Sequence, residues 1–330
     1  MHSAMVLLKG LHVISYRNFC VFNCRHFHSD HYMGLTRKFN YGKIYCSDVT
    51  ANLIEHIIKV DRSFIVRLPM NEKVAVQDVF VTLIDANHCP GAVLFLFELP
   101  NGMKYLHTGD FRASLDHINN PLIKDVKFDK VYLDNTYGTN SIYSFPLQQE
   151  VCTKTIEAIK RKIEGDGMKR LAPLNFLILF GSYLIGKEKI ILAVSKEFNW
   201  KIYADERKRN IIKCLCWPEL EEKLTANPHE TPLHLVSMGH IIEERLSQYL
   251  LQYSKYTHIM GFKPTGWSMS SEKGYEPTVK DCKVSKERSR KDAILIYSVP
   301  YSEHSSYAEL QMFLNGVRAK QVINTVNFGK

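Results

Sequence analysis

The sequence predicts an α/β protein built in two parts, and three observations carry that expectation. Residues 1–140 alternate short apolar, β-branched and aromatic runs with loops. Beyond Tyr143 such runs alternate with segments of helical period, as in an α/β layer. The 330 residues, 45% hydrophobic and 23% charged, suffice for a large core and by length suggest two domains.

In chain order, the opening is the least regular part. Met5-Val6-Leu7-Leu8 is apolar, but Lys9 interrupts it, and the run is too short for a membrane span. Elsewhere no apolar stretch reaches about eighteen residues. The expectation is an irregular start rather than a signal peptide. Val79-Phe80-Val81-Thr82-Leu83-Ile84 and Ala92-Val93-Leu94-Phe95-Leu96-Phe97 read as buried strands. Pro100-Asn101-Gly102 turns the chain into Met103-Lys104-Tyr105-Leu106-His107, which predicts a hairpin. Lys130-Val131-Tyr132-Leu133 is a further strand, ending at Asp134. Val151, Ile156 and Ile159 predict a helix over 149–162. A buried strand over 174–180, a helix over 186–195, a strand over 201–203 and a helix over 219–224 follow. The polar stretch 266–292 predicts a long exposed loop. A strand over 295–299, a helix over 306–316 and a strand over 321–323 complete the pattern, without internal repeats.

The net charge is +9 and the pI about 9.0, which favours polyanionic partners, nucleic acid first. Of the eight cysteines only Cys20/Cys24 and Cys214/Cys216 are close pairs, and neither has the second half of a structural zinc site. They read as reduced thiols of an intracellular protein.

The chemistry concentrates in His26-Phe27-His28-Ser29-Asp30-His31. In an extended segment His26 and His28 point to one side. After a turn, Asp30 and His31 face the same space. This nitrogen and oxygen set suits Zn²⁺ or a similar first-row ion. The alternative is a solvated, His-rich loop. Further donors sit at strand ends, where a scaffold aims side chains at one point. His88 is at the tip of Asp85-Ala86-Asn87-His88-Cys89-Pro90-Gly91. Asp110 lies in Thr108-Gly109-Asp110-Phe111-Arg112, placed to bridge two ions. His304 lies in Tyr301-Ser302-Glu303-His304-Ser305-Ser306. Each alone also suits a turn or cap; their joint occurrence is the argument.

These motifs resemble the metallo-β-lactamase fold in its nucleic-acid-processing β-CASP branch. His26 to His31 resembles the second motif, His88 the third and Asp110 the fourth. Leu133-Asp134-Asn135-Thr136-Tyr137 and Ser302-Glu303-His304 resemble the branch's first two extra motifs, and Thr325-Val326-Asn327 falls where the third belongs. Val326, rather than a His, resembles DNA-type members. Ile185-Gly186-Lys187-Glu188-Lys189 and Phe262-Lys263-Pro264-Thr265-Gly266-Trp267 are similar to the DNA cross-link repair nucleases, the 1A type in particular.

The resemblance implies an αββα metallo-β-lactamase sandwich from 1–140 and 297–330, with a β-CASP α/β insert at 141–296 and the active site in the cleft where they meet. It implies one or two zinc ions, with magnesium or manganese as alternatives. His26, His28 and His88 would hold the first ion; Asp30, His31 and His304 the second; Asp110 would bridge, and Asp134 would orient a ligand His from behind. Asp30, His31, Asp110, Asp134 and His304 would be catalytic. The implied reaction is 5′→3′ exonucleolytic hydrolysis of DNA in interstrand cross-link and double-strand break repair, in the nucleus, with DNA and other repair proteins as partners and no membrane. Tyr137, Ser182, Gly186, Lys187 and Ser302 would hold a 5′-phosphate. Gly181 to Lys187 precedes a helix, where free N–H groups attract anions, although capping by Ser182 reads equally well. The basic run Lys283 to Lys291 would track DNA or simply be solvated. A catalytically impaired DNA-binding member, or an RNA-processing nuclease, is the alternative.

Two departures from the family pattern stand out. The family has an Asp upstream of the His-rich motif, whereas residues 1–25 contain none, and its opening strands are not recognisable there. The chain also stops soon after Val326. Both ends are expected to be shortened, leaving a core edge exposed and the chain less stable and less active than an extended version.

Overall fold

The computed structural model describes residues 4–8, 11–16, 19–138, 144–164, 175–266, 280–281 and 293–326. They divide into two units: Met1–Ser144 with Cys214–Cys216 and Glu303–Lys330, and Phe145–Lys213 with Trp217–Ser302.

The first unit opens with β1 (Ala4–Leu8), β2 (Leu11–Tyr16) and β3 (Phe19–Asn23), each antiparallel to the next. β3 is parallel to β4 (Ile44–Cys46), and β4 to β5 (Ile65–Arg67), completing a five-stranded sheet. The expected irregular opening is therefore wrong. Its short apolar runs are separated by the pairs Lys9-Gly10 and Arg17-Asn18, which is hairpin spacing. Lys9 itself lies outside the described residues. Between β4 and β5, α1 (Asp48–Leu53) is capped by the Ser47 side chain, which accepts from the Thr50 N–H.

Next, β6 (Val74–Val76), β7 (Val79–Asp85), β8 (Val93–Glu98) and β9 (Lys104–His107) form an antiparallel meander. The expected hairpin is β8–β9, with Phe97 opposite Tyr105. The chain continues through α2 (Leu115–Asn119), β10 (Lys127–Phe128) and β11 (Lys130–Leu133), which lies parallel to β9. Tyr45 and Val66 of the first sheet pack against a buried cluster that includes Leu83, Phe95 and Phe97 of the meander. The core of this unit thus lies between two sheets.

The second unit begins with α3 (Gln148–Glu164), β12 (Phe176–Ser182), α4 (Glu188–Phe198), β13 (Ile202–Tyr203) and α5 (Glu206–Lys213). After Cys216 come α6 (Pro218–Lys223), β14 (Leu224–Thr225), β15 (Leu233–Ser237), α7 (Glu243–Gln252), β16 (His258–Thr265), β17 (Lys280–Asp281) and β18 (Ile294–Pro300). The sheet order is β14-β13-β15-β12-β16-β18-β17, parallel except for the β17–β18 pair. β12 is buried along its whole length, as a central parallel strand covered on both faces must be. Leu177 and Leu179 pack with Leu246 and Leu250 of α7. On the alternate positions, Phe180 stacks on Phe262 and Phe262 on Tyr297, at 4.8 and 4.9 Å between ring centroids.

The sequence pattern showed neither α5, β15, α7 nor β16. β15 buries His234, and β16 contains Gly261 and Pro264, residues that mask a strand pattern. Gly261 is needed because a Cβ there would meet Leu246 at 2.8 Å. β12 also runs further than expected. Gly181 and Ser182, beyond the expected end of the strand, pair with Val236 and Ser237. A Cβ at Gly181 would lie 2.8 Å from Ile241 and 2.9 Å from Met238. Gly181→Ala is expected to destabilise by about 1–3 kcal/mol through overpacking, measured as a lower denaturation midpoint. An unchanged midpoint would mean that the α7 side of the sheet adjusts freely. The expected 266–292 loop and its basic run fall almost wholly outside the described residues.

The chain returns to the first unit with α8 (Tyr307–Gly316), β19 (Arg318–Ala319) and β20 (Val322–Asn324). Ser306 and Glu309 form a capping box on α8. β20 lies parallel to β11, giving the order β20-β11-β9-β8-β7-β6. Among the described residues no helix is long and apolar enough to cross a membrane.

Candidate metal centre

The loops that follow β3, β7 and β9 carry His26 to His31, His88 and Asp110; the loop after β11 carries Asp134, and His304 lies between β18 and α8. β7 and β9 are both antiparallel to β8, and β11 is parallel to β9, so β7, β9 and β11 end at the same edge. The turn after β7 is set by Asn87, at φ 50°, whose N–H donates to Asp85 Oδ1 at 2.7 Å. The turn after β9 needs Gly109, at φ 58°; a Cβ there would meet Arg25 Cδ at 2.9 Å. Thr108 Oγ1 accepts from the Asp134 N–H at 2.9 Å, joining the turns after β9 and β11. Arg112 runs from Asp110's loop to Glu309 on α8, at 3.0 Å.

Three overlapping groups of donors result, with ligand atoms within 4.8 Å of one another: His26, His28, His88 and Cys89; His26, His31 and Asp110; His88, Asp110 and His304. His28 Nδ1 lies 3.1 Å from His26 Nε2 and 3.2 Å from His88 Nε2. Asp110 Oδ2 lies 3.2 Å from His31 Nε2 and 3.6 Å from His26 Nε2. Asp30 is largely exposed, 3.3 Å from His31, and belongs to none of these groups. His304 groups with His88 and Asp110 rather than with Asp30 and His31.

Hydrogen bonds behind the rings fix which nitrogen faces inward. His88 Nδ1–H donates to the Glu303 carbonyl at 2.8 Å, which leaves Nε2 unprotonated in the neutral ring. His304 Nδ1–H donates to Asp134 Oδ2 at 2.8 Å, again leaving Nε2. Asp134 is buried and fully engaged: Oδ1 accepts from the N–H and hydroxyl of Thr136, and Oδ2 also accepts from the Phe111 N–H.

The donor set fits a divalent cation. Neutral imidazole nitrogens that face one another share too few protons to bond pairwise. Two nitrogens held about 2.0–2.1 Å from one tetrahedral ion would lie about 3.3 Å apart, close to the separations around His28. Cys89, which the sequence pattern did not single out, adds a softer sulfur to this group.

Electrostatics favour the ligand forms of most of these groups. Burial pushes His26 well below the ordinary imidazole value, and His31 adds to the effect. Burial, then His304 and His28, hold His88 down at about 4. Burial opposes charge on both His31 and Asp110, but their mutual attraction prevails: His31 rises to about 9 and Asp110 stays well below the usual carboxylate range. His304 is raised, against burial, by Asp134.

His31 therefore carries a proton up to about pH 9 in the metal-free protein, and that proton must leave before Nε2 takes a cation. Because protons compete with metal below the raised value, metal affinity is expected to climb with pH toward about 9 and to level off beyond it. Competition with a chromophoric chelator across this range measures it. A flat profile would remove His31 from the ligand set.

Arg25 was not foreseen as part of the site. It is buried, its Nη1 lies 2.8 Å from His107 Nδ1, and burial lowers it to about 10 against the opposing pull of Asp110. It follows Cys24 and precedes His26 as an ordinary basic residue, with no spacing to mark it. Tyr137 is buried, its ring 6.0 Å from that of His304. The other phosphate candidates belong to the second unit. Ser182 ends β12 and caps no helix; its hydroxyl donates to the Val236 carbonyl at 3.5 Å. Gly186 and Lys187 have φ of 99° and 68°, so α4 starts later than expected. Lys187 Nζ donates to the Tyr301 carbonyl at 3.3 Å, and the Ser302 carbonyl accepts from Gln148. The Val326 N–H donates to Asn135 Oδ1 at 3.0 Å.

A family model described as DNA repair metallo-beta-lactamase matches residues 218–330. The chain is 38% identical to the DNA cross-link repair protein SNM1 of Arabidopsis thaliana, covering 96% of this chain and 64% of that protein. It is 38% identical to the DNA cross-link repair 1A protein of Homo sapiens, covering 92% and 28%. It is 29% identical to the 5′ exonuclease Apollo of Gallus gallus, covering 93% and 58%. The chain thus spans less than two thirds of the length of these relatives. A crystal structure of a protein of unknown function from Enterococcus faecalis V583 is similar with a TM-score of 0.62, over 98% of this chain and 92% of its own, at 10% identity, a likeness of fold alone. On these relatives, the chain belongs to the metallo-β-lactamase/β-CASP family of DNA repair proteins.

Proposed function

We propose that this chain hydrolyses DNA phosphodiesters with a divalent metal, releasing 5′-mononucleotides from a 5′-phosphate end in interstrand cross-link and double-strand break repair. The observation that carries this reading is the convergence of His26, His28, His31, His88, Asp110 and His304 into overlapping donor groups. The relatives, named for DNA cross-link repair and for 5′ exonuclease, supply the substrate. The imidazole-rich set favours one or two zinc ions over magnesium or manganese. When bound, such ions provide hydroxide near neutral pH and neutralise phosphate charge.

The residues of the chain do the positioning. The Glu303 carbonyl and Asp134 fix the tautomers of His88 and His304, and Asp110 stays ionised between His26 and His31. Asp30 is the exposed carboxylate at the rim. We read the first unit as the metallo-β-lactamase part and the second as the β-CASP insert. Tyr137, Ser182, Gly186, Lys187 and Ser302 are the proposed 5′-phosphate contacts. The net charge of +9 suits a polyanion, and action in the nucleus with other repair proteins follows from the substrate.

The test is digestion of 5′-phosphorylated and 5′-hydroxyl single-stranded DNA, with and without chelator. The phosphorylated strand is expected to be degraded faster, and chelation to stop both reactions. Lys187→Ala should narrow the preference while leaving metal content intact. Equal rates on the two ends would remove the phosphate contacts, and chelator-resistant digestion would remove the metal.

A further inference from the structure

The second unit contains a cavity of about 440 Å³ that the metal chemistry does not use. Topology explains why it exists. β12 and β15 are adjacent and parallel. From the end of β12 the chain crosses through α4 to β13, on the β15 side. From the end of β15 it crosses through α7 to β16, on the other side of β12. Right-handed crossovers in opposite directions put the two helices on opposite faces of the sheet. A crevice then opens between the carboxyl ends of the two strands, and ligands of open α/β sheets bind at such switch points. Ser182, Tyr183 and Leu184 from the end of β12, and Ser237, Met238 and Gly239 from the end of β15, line this cavity.

The lining has two chemical halves. Leu184, Ile211, Leu235 and Met238 make it apolar, and Tyr183, 53% exposed, offers an aromatic face at the rim. Arg207 and Lys208 contribute positive charge. Lys208 is committed to the wall: its Nζ donates to the carbonyls of Tyr183 and Leu184 at 2.9 and 2.8 Å and lies 3.6 Å from the buried Glu188. Asp205 accepts from the Lys208 N–H at 2.7 Å. The exposed Arg207 is then the lining cation suited to a ligand's phosphate. The volume falls within the roughly 300–1,000 Å³ of small-ligand pockets.

We propose that this crevice is a nucleotide-binding site, taking the base against Tyr183 and the apolar wall and the phosphate on Arg207. Two sources share that chemistry, a free deoxynucleoside monophosphate and one nucleotide of a DNA strand. Ser182 is shared with the proposed 5′-phosphate contacts, so a strand nucleotide here rests on the nuclease reading, whereas a free nucleotide does not.

The experiment uses the full chain kept in chelator, so that the metal centre does not contribute. Calorimetric titration with deoxyadenosine monophosphate, and separately with a short single-stranded oligonucleotide, reads binding. Arg207→Ala should weaken binding roughly tenfold or more through loss of a charge-assisted hydrogen bond. Met238→Trp should abolish it by filling the cavity, and Tyr183→Ala, at the exposed rim, serves if that variant does not fold. Binding of both probes that these substitutions reduce points to the free nucleotide; reduction for the oligonucleotide alone points to a strand nucleotide. No binding of either probe, or binding that none of the substitutions changes, overturns the proposal. Loss of nuclease activity in the metal-loaded protein, without a change in this titration, bears only on the metal centre.

Discussion

Asp110→Asn is expected to release metal and to lower DNA hydrolysis by more than the roughly 10–100-fold that removing a residue behind a ligand costs. The change is nearly isosteric, so the effect isolates charge. Asp110 is common to two of the donor groups, and its carboxylate faces His26 and His31. Without it, Arg25 and protonated His31 remain buried near one another, and removing one partner from such a cluster costs about 3–5 kcal/mol. The metal-free variant should therefore also have a lower thermal midpoint. The sign with pH follows from His31. Its raised value near 9 means that its attraction to Asp110 stabilises fully below the ordinary imidazole range and is lost as pH rises through about 9. The deficit of the variant should shrink above that point. Metal content, rate and midpoint all equal to those of the unaltered chain would refute the bridging assignment.

The second large effect is expected at Asp134, where Asn should be almost as damaging as Ala. Both carboxylate oxygens accept hydrogen bonds, Oδ1 from Thr136 and Oδ2 from Phe111 and His304. An amide must turn its NH₂ toward one of these donor sets, whichever way it flips. His304 then loses its fixed tautomer, or the turn after β11 loses its anchor. A drop of about 10–100-fold in metal affinity or activity is expected for Asp134→Asn. Metal titration and single-turnover hydrolysis measure it. If the Asn variant matched the unaltered chain while Ala did not, shape rather than acceptor count would be what His304 requires.

The residues of the donor groups were legible because they lie in short motifs at strand ends, where spacing alone limits where side chains point. The hairpin around Pro100-Asn101-Gly102 was legible for the same reason. Pairing at a distance was not. β1–β3 were obscured because each apolar run is short and is broken by polar or glycine residues in the sequence. β16 was obscured because Gly261 serves a close approach by Leu246, a demand visible only once α7 is in place. Arg25 gave no signal, since burial beside Asp110 and His107 is a property of the assembled loops. The exclusion of Asp30 from the donor groups, although it sits inside the most telling motif, is likewise set by the turn that leaves it facing solvent.

The bond from His88 to the Glu303 carbonyl has a consequence for how the protein comes to hold metal at all. Those residues are 215 positions apart, and closing so long a loop in an unfolded chain costs on the order of 5 kcal/mol. The second unit shortens that path. Gln148, near its start, donates to the carbonyl of Ser302, at its end, at 3.0 Å. Once that unit has folded, its two ends are held together at Gln148 and Ser302, and the effective loop between His88 and Glu303 is shortened. Folding of the second unit is therefore expected to precede efficient metal capture. During synthesis, a chain that has displayed His26 to His31 still waits for Glu303 and His304 before the donor groups are complete. Substitutions deep in the sheet of the second unit, far in sequence from the donor groups, should then emerge as slow metal loading long before they register as lost affinity.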